Sequence, residues 1–519
     1  MRIPRPLTKL KTLWLWRHRG KVAAFGPFVA ALVIYLGYLI YNYSAKASYE
    51  KVMTTWYQYD DTADTLTTDL PVEPIEGNFF TDPALLAEKN NSYPEKLTTP
   101  TKEGYSGFVK NAGIFNNGNK GFHLMGVPSD LSLWFDPTVK GNQRELALHG
   151  IKLLETFQAR ELALRQAAAL PHQQLPKAKD INGHTRIISE YSSVCRNIAS
   201  YYSCKAILNI HSGQASEALL NTITQIQIAK HFQDPELLLD FLYYNAFLNV
   251  ISHSVWEGLN AKIWDDAQLL SLEKHLEEID LRRQFIHAMR GEFAYAASEV
   301  QMLIDNPKHL DEQRAKFSLL LGATGTPSLK ERAIEYARKS IPHGWYVYQY
   351  AGLLKAYDEI LLHPQGTANH QLDISHYHAF QNRKNPLKTE WFNDFITHLP
   401  NMGMHARQVA KALQGQAKIH NMRVAIALER YHLAQGNYPS TLAPLAPDFL
   451  ASVPTDVVNG EPLQYRVKQD GTPLIYSIGV NGSDDGGRPN RDTQEADWAW
   501  MYSPPKGFTY QDYRTNLSN

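Results

Sequence analysis

Cysteine is almost missing from this chain. Cys195 and Cys204 are the only two in 519 residues. That count excludes a disulfide-stapled fold and any zinc site built on paired cysteines. The two lie nine positions apart in a segment that reads as helical. Nine residues of a straight helix rise about 13 Å and turn to the opposite face. A disulfide needs Cα atoms within about 7 Å. No glycine or proline breaks the segment between them, so two free thiols are expected.

An excess of either charge is also missing. Lysine and arginine total 52, and aspartate and glutamate total 52. A nucleic-acid binder needs a basic surface to neutralise phosphates, and nothing in this balance supplies one. The glycine-rich phosphate loop, the dinucleotide fingerprint and the G-x-S-x-G nucleophile turn do not occur. Asp60-Asp61 and Glu277-Glu278 read as solvated helix charges. A catalytic acid/base pair would need environments that separate the two pKa values.

What is present is an ordinary globular composition, 44% hydrophobic and 20% charged, on a chain long enough for two or more domains. Charge is uneven at one end. Arg2, Arg5, Lys9, Lys11, Arg17, Arg19 and Lys21 precede an uncharged run, VAAFGPFVAALVIYLGYLIY, with no acid among them. Residues 22–41 match the length of a bilayer-crossing helix. The basic tail, 1–21, is expected to stay cytoplasmic and the bulk of the chain to lie outside, in the periplasm of a bacterial envelope. Tyr35, Tyr38, Tyr41 and Tyr43 suit the far interface. Ala45-Lys46-Ala47 resembles a signal-peptidase site, but signal-peptide apolar cores run only about 7–15 residues. An uncleaved single-pass anchor is therefore expected.

Residues 48–142 mix a short helical start with Pro, Gly, Asn and Thr, and keep aromatics such as Phe79, Phe80, Tyr105, Phe108 and Phe115. They predict ordered but irregular membrane-proximal structure. Residues 143–400 form the predicted helical domain. Apolar spacing of three and four places helices near 184–211, 215–231, 235–261, 266–278 and 280–304. KAILNIHSGQASEAL, from Lys205 to Leu219, resembles part of a tetratricopeptide repeat. No 34-residue period is sustained, so a bundle or irregular solenoid is expected rather than a repeat array. WYVYQYAGLLKAYDEILL predicts a further helix, and HPQGTANHQLDISHYHAFQNRKNP a long loop. Residues 401–503 predict a small α+β module: one long helix ending at Gly436, then a hairpin in EPLQYRVKQDGTPLIYSIG that turns at Gln469-Asp470-Gly471-Thr472. Residues 504–519 form a tail. The fold class is mainly α.

Two groups of residues carry candidate chemistry. The first is YSIGVNGSDDGGRPNRD, residues 476–492, with four glycines, three aspartates and two asparagines. Calcium takes six to eight oxygens from a flexible loop, and glycines permit the sharp turns. Counting from Asn481, oxygen-bearing side chains fall at positions 1, 3 and 5 (Asn481, Ser483, Asp485), Gly486 is position 6 and Asp492 position 12. That is the spacing of an EF-hand loop. The preceding residues read as a strand, however, and Pro489 interrupts the loop. The second group is His363, His370, Asp373, His376 and His378, a donor set suited to zinc or another transition metal. His376 and His378 would share one face of a strand, and helical zinc-protease spacing is absent.

LERYHLAQGNYPSTLAPL, then LQYRV, then IYSIGVNGSDDGG, followed by Asp492, Asp497 and Trp498, resembles the C-terminal domain of major pseudopilins of type II secretion. The likeness covers about Met404 to Trp500. It implies a long helix, a small antiparallel sheet and a calcium-binding loop. It implies Asn481 and Asp492 as ligands with a backbone carbonyl near Ile478, and Asp484, Asp485 and Asp497 as further candidates. Asn481 stands where the family has aspartate. The family's prepilin cleavage site is not found before Val22, and about 360 residues separate the apolar run from the similar module. Assembly as a pilus subunit is therefore not expected. Together these readings point to a membrane-anchored extracytoplasmic scaffold or interaction protein with a calcium-stabilised loop. The alternatives are a metal-dependent envelope hydrolase using His363–His378, and an accessory part of a secretion or pilus-like machine. A calcium affinity of about 10⁻⁴ to 10⁻³ M would be typical of extracellular modules. The expected partners are the membrane and a protein, with no nucleic acid.

Overall fold

The structure is a computed structural model. It describes residues 19–56, 77–90, 143–171, 177–179, 185–187, 190–235, 237–306, 343–362, 372–382, 402–488 and 496–502. The fold is mainly helical, with a small three-stranded antiparallel sheet near the C-terminus. In chain order the main elements are α1 (Arg19–Trp56), α2 (Pro83–Asn90), α3 (Gln143–Leu154), α4 (Gln158–Ala168), β1 (Lys177–Lys179), β2 (Thr185–Ile187), α5 (Glu190–Ser212) and α6 (Ala215–Lys230). They continue with α7 (Leu238–Asn260), α8 (Asp266–Glu277), α9 (Leu281–Asp305), α10 (His343–Tyr357), α11 (Ile374–Asn382), α12 (Met402–Gln435), β3 (Gln464–Val467), β4 (Pro473–Ser477) and β5 (Trp498–Met501). The contacts divide the chain into two units.

The first unit takes in residues 1–66, 293–359 and 385–399. Among its described residues, α1 and α10 pack together. The character of α1 changes along its length. Every residue from Ala31 to Tyr41 is exposed. Beyond them Ala45, Tyr49, Met53 and Trp56 are buried, at the spacing of one helix face. Tyr49 donates its hydroxyl to the Ala297 carbonyl at 2.9 Å, and the Trp56 ring lies 4.0 Å from that of Phe293. The short helical start expected after residue 48 is thus the continuation of α1. Among the described residues, no helix is long and apolar enough to cross a membrane. The segment 22–41 lies on α1, and its side chains before residue 31 lie outside the described ones.

The second unit takes in residues 67–292, 360–384 and 400–519. Its first hub is α5, packed by α3, α6 and α7. Enclosure on several sides explains why Cys195 and Cys204, on different faces of this one helix, are both buried and both free. Burial pushes both thiols far up, so neither is a ready nucleophile. Glu161 on α4, itself buried, binds Arg165 at 2.7 Å and Lys205 of α5, and accepts from the Tyr201 hydroxyl at 3.3 Å. Phe79 and Phe80 are buried, and Phe79 stacks flat on His231 at 4.0 Å. The second hub is α12, whose Val409, Leu413, Met422, Val424, Ile426 and Leu428 are buried. It packs on α7, α8 and α11. Arg423 holds Glu273 at 2.7 Å and Arg430 holds Asp266 at 2.8 Å, tying α12 to α8. Glu277 and Glu278 are exposed acids, as their sequence suggests, and face Arg423 and Lys230.

The predicted helices near 184–211 to 280–304 correspond to α5 through α9, and the hairpin to β3 and β4. Three features differ from expectation. The region expected to be helical throughout contains the antiparallel pair β1 and β2, with Lys177 opposite Ile187, so α5 begins at Glu190 and not near 184. The segment after His363 is not a continuous loop, because it contains α11. And β5 adds a third strand, pairing antiparallel to β4 with Ser477 opposite Trp498. The helix expected within ERAIEYARKSI, and the aromatics Tyr105, Phe108 and Phe115, lie outside the described residues.

Candidate metal centre

The 476–492 loop leaves the end of β4 over a buried acid. Asp456 accepts from the Ser477 hydroxyl at 2.6 Å, from the Ile478 N–H at 2.8 Å and from the Val458 N–H at 2.9 Å. Burial raises its pKa, and the three donors oppose that rise. The strand end is fixed before the loop begins.

From there the chain turns at Gly482, Gly486 and Gly487, all with φ near +70°. Gly487 meets two demands at once. Its φ is +71°, and a Cβ there would approach Tyr476 to 2.9 Å and Leu474 to 3.0 Å. No other residue type satisfies both without a shift. The turns gather polar groups. The Asn481 amide donates to Asp485 at 3.0 Å, and its oxygen accepts the Ser483 N–H at 3.1 Å. Asp484 accepts from the Tyr476 hydroxyl at 3.0 Å and from the Gly486 N–H at 2.8 Å. Arg466 donates to the Gly486 carbonyl at 2.8 Å and closes the far side.

Asp497 comes in from the position just before β5. It is buried, and its Oδ2 accepts the Gly487 N–H at 2.7 Å. Its Oδ1 is buried and makes no well-formed hydrogen bond among the described residues, although the Asp485 N–H lies close enough to the carboxylate to favour its charged form. Burial pushes this carboxyl up to about 6, and the Asp485 and Asp484 charges add to the rise. A buried carboxylate with two further carboxylates near it is costly without a cation.

The loop therefore brings together Asn481, Asp484, Asp485 and Asp497. The Ile478 carbonyl lies at its root, 3.1 Å from the Ser477 hydroxyl. Asp492 lies outside the described residues. Among the described residues, no group of three or more His, Cys, Asp or Glu is placed to hold a metal ion by itself. A calcium ion held here would also need the Asn481 and backbone oxygens, the donor types that calcium accepts. Asp456 and Tyr476 were not among the sequence candidates. Nothing in VPTDVV or PLIYS marks them, because their roles arise from strand pairing.

The histidine group resolves differently. Asp373 precedes α11 and accepts from the Ser375 N–H at 2.8 Å and the Ser375 hydroxyl at 2.5 Å. The Nδ1 of His376 lies 2.9 Å from the same carboxylate and 3.2 Å from the Asp373 N–H. Asp373 thus caps the N-terminus of α11, with His376 held beside it. The His376 and Ser375 donors hold the Asp373 carboxyl well below its usual range. His376 and His378 stand on a helix and not on a strand, so two positions separate them by about 200° of turn. His363 and His370 lie outside the described residues.

No protein-family model matches this chain, and neither the curated proteins nor the solved structures hold a match to it.

Proposed function

We propose that this protein is a membrane-anchored scaffold of the bacterial envelope whose C-terminal loop is pinned by calcium. The observation that carries the calcium reading is the buried Asp497 carboxylate, held among the described residues only by the Gly487 and Asp485 N–H groups and raised in pKa by the nearby Asp484 and Asp485 charges. A divalent cation would relieve the crowding of negative charge. The long α12 with a three-stranded sheet packed against it supports the pseudopilin-like reading of 401–503. In this reading calcium orders the loop at the end of β4. Asp373 and His376 are engaged in capping α11, so the hydrolase reading gains no support from them.

The anchor reading rests on α1. Val33, Ile34 and Ile40 are 62%, 72% and 67% exposed, on a stretch of helix, Ala31 to Tyr41, that is exposed throughout among the described residues. An exposed apolar stretch behind seven basic residues fits a bilayer, with the basic end in the cytoplasm. The helical second unit would then be the extracytoplasmic surface offered to a protein partner, including the parts of a secretion machine.

Calcium titration of the detergent-solubilised full chain by calorimetry tests the proposal. Saturable binding near 10⁻⁴ to 10⁻³ M is expected, lost in Asp497→Asn. Heat no different from buffer dilution contradicts it.

A further inference from the structure

The start of α10 is locked to the point where the apolar run of α1 ends. Asn42 is the first residue after 22–41, and its Oδ1 accepts the Gly344 N–H at 3.0 Å. That N–H belongs to the first turn of α10, where no intrahelical partner exists, so Asn42 caps a helix distant in sequence. The approach is close. A Cβ on Gly344 would lie 2.8 Å from the Asn42 Cα. One turn along, the Tyr348 ring sits 6.3 Å from that of Tyr41. Trp345 is half-buried and Tyr348 is 47% exposed. From Gly344 to Leu354 the helix carries no charged residue; the first is Lys355, exposed and paired with Glu359 at 3.5 Å.

We propose that the first turns of α10, through Trp345 and Tyr348, sit in the headgroup layer of the bilayer that α1 enters, as a second membrane contact. The inference rests on the anchor reading of 22–41. If that run spans the hydrocarbon core, Asn42 lies at its outer edge, and each residue of helix moves the level by 1.5 Å. Gly344 shares the level of Asn42, and Tyr348 that of Tyr41, within about one turn. The headgroup region is about 5–7 Å deep on each side. Trp345 and Tyr348 therefore fall inside it, together with Tyr38, Tyr41 and the 77% exposed Tyr43. Aromatic rings with an apolar body and a polar tip are favoured at that depth. The exposed Tyr348 ring neighbours that of Tyr41, on the exposed stretch of α1, so one occupant, lipid, suits both.

The test uses the full chain in phosphatidylcholine vesicles brominated either near the glycerol end or near the methyl end of the acyl chain. Trp14 and Trp16 are replaced by W14F and W16F, since the opposite interface would otherwise contribute. Tryptophan fluorescence is compared between this parent and W345F. The expected result is quenching by shallow bromine that exceeds deep quenching in the parent and drops in W345F. It returns when Y348W is added, which also guards against a folding defect. Equal quenching of the parent and W345F, in a chain that floats with vesicles and resists alkaline extraction, overturns the headgroup contact and leaves the anchor standing. A chain that stays in the aqueous fraction overturns both.

Discussion

The indole N–H of Trp256, near the end of α7, donates to the Met501 carbonyl on β5 at 2.9 Å. A buried ring thus fastens the last strand to the helical bundle across 245 residues of sequence. On the same strand, the Asn421 amide of α12 donates to the Trp498 carbonyl at 2.8 Å. The strand that delivers Asp497 is therefore held by two helices as well as by β4.

Trp256→Phe removes the donor and part of a ring that is 1% exposed. It should cost about 1–3 kcal/mol, combining a lost hydrogen bond with a small cavity. Denaturant unfolding reads the cost. Hydrogen exchange of residues 498–501 should speed up more than that of α5, and uniform exchange would argue that β5 is not held this way.

Two glycines separate conformation from space. Gly482 has φ +68° with nothing within 4 Å of an added Cβ, while Gly487 has the same kind of φ and a crowded site. Ala at Gly482 should cost about 1 kcal/mol, and Ala at Gly487 clearly more, from strain plus collision with Tyr476 and Leu474. Thermal midpoints of the two variants decide it. Equal losses would mean that the Gly487 site yields.

Glu161 is buried between Arg165 and Lys205. Glu161→Ala leaves the largely buried Arg165 and Lys205 cations without their shared carboxylate, and should cost about 3–5 kcal/mol. Glu161→Gln keeps the shape and some acceptor capacity, and should cost less. Urea midpoints at neutral pH distinguish them.

His231 stacks on Phe79, and its Nε2 lies 2.9 Å from the Ala168 carbonyl. Burial lowers its pKa from 6.5 to about 4. Below pH 6.5 the unfolded chain takes a proton that the folded chain refuses. Stability should therefore fall as pH drops from about 6.5 to 4, by up to about 1.4 kcal/mol per pH unit from this residue. Above pH 6.5 its contribution is flat. In His231→Gln the slope over that window should be shallower by one proton. An unchanged slope would show that His231 titrates normally in the fold.

The helices of the second unit were legible because their apolar residues repeat at three and four, and α12 because no proline interrupts it before Gly436. The hairpin was legible from the Asp470-Gly471 turn between alternating residues. The third strand was not, since Trp-Ala-Trp-Met is only four residues long and acquires its role by pairing with β4. The helix α11 hid in a histidine-rich stretch, where its cap, Asp373-Ile-Ser-His376, read as a ligand set. At the loop, oxygen density singled out Asn481, Asp484 and Asp485, which the glycine turns draw into one hydrogen-bonded group. Sequence could not reveal that Asp497 is the buried member, because its burial depends on β5 and on the Gly487 turn. Nor could it reveal Asp456, whose three donors come from two separate segments.

The most direct measurement is the thermal midpoint of the full chain in detergent, with millimolar calcium and with chelator, beside Asp497→Asn. A ligand at ten times its dissociation constant stabilises the native state by about 1.4 kcal/mol. The scaffold account predicts a rise in midpoint with calcium for the native chain and none for Asp497→Asn. It also predicts that the variant in chelator is no less stable than the native chain in chelator, because the substitution removes a buried charge. A native chain indifferent to calcium would contradict the account, leaving the loop as a polar turn closed by glycines and hydrogen bonds alone.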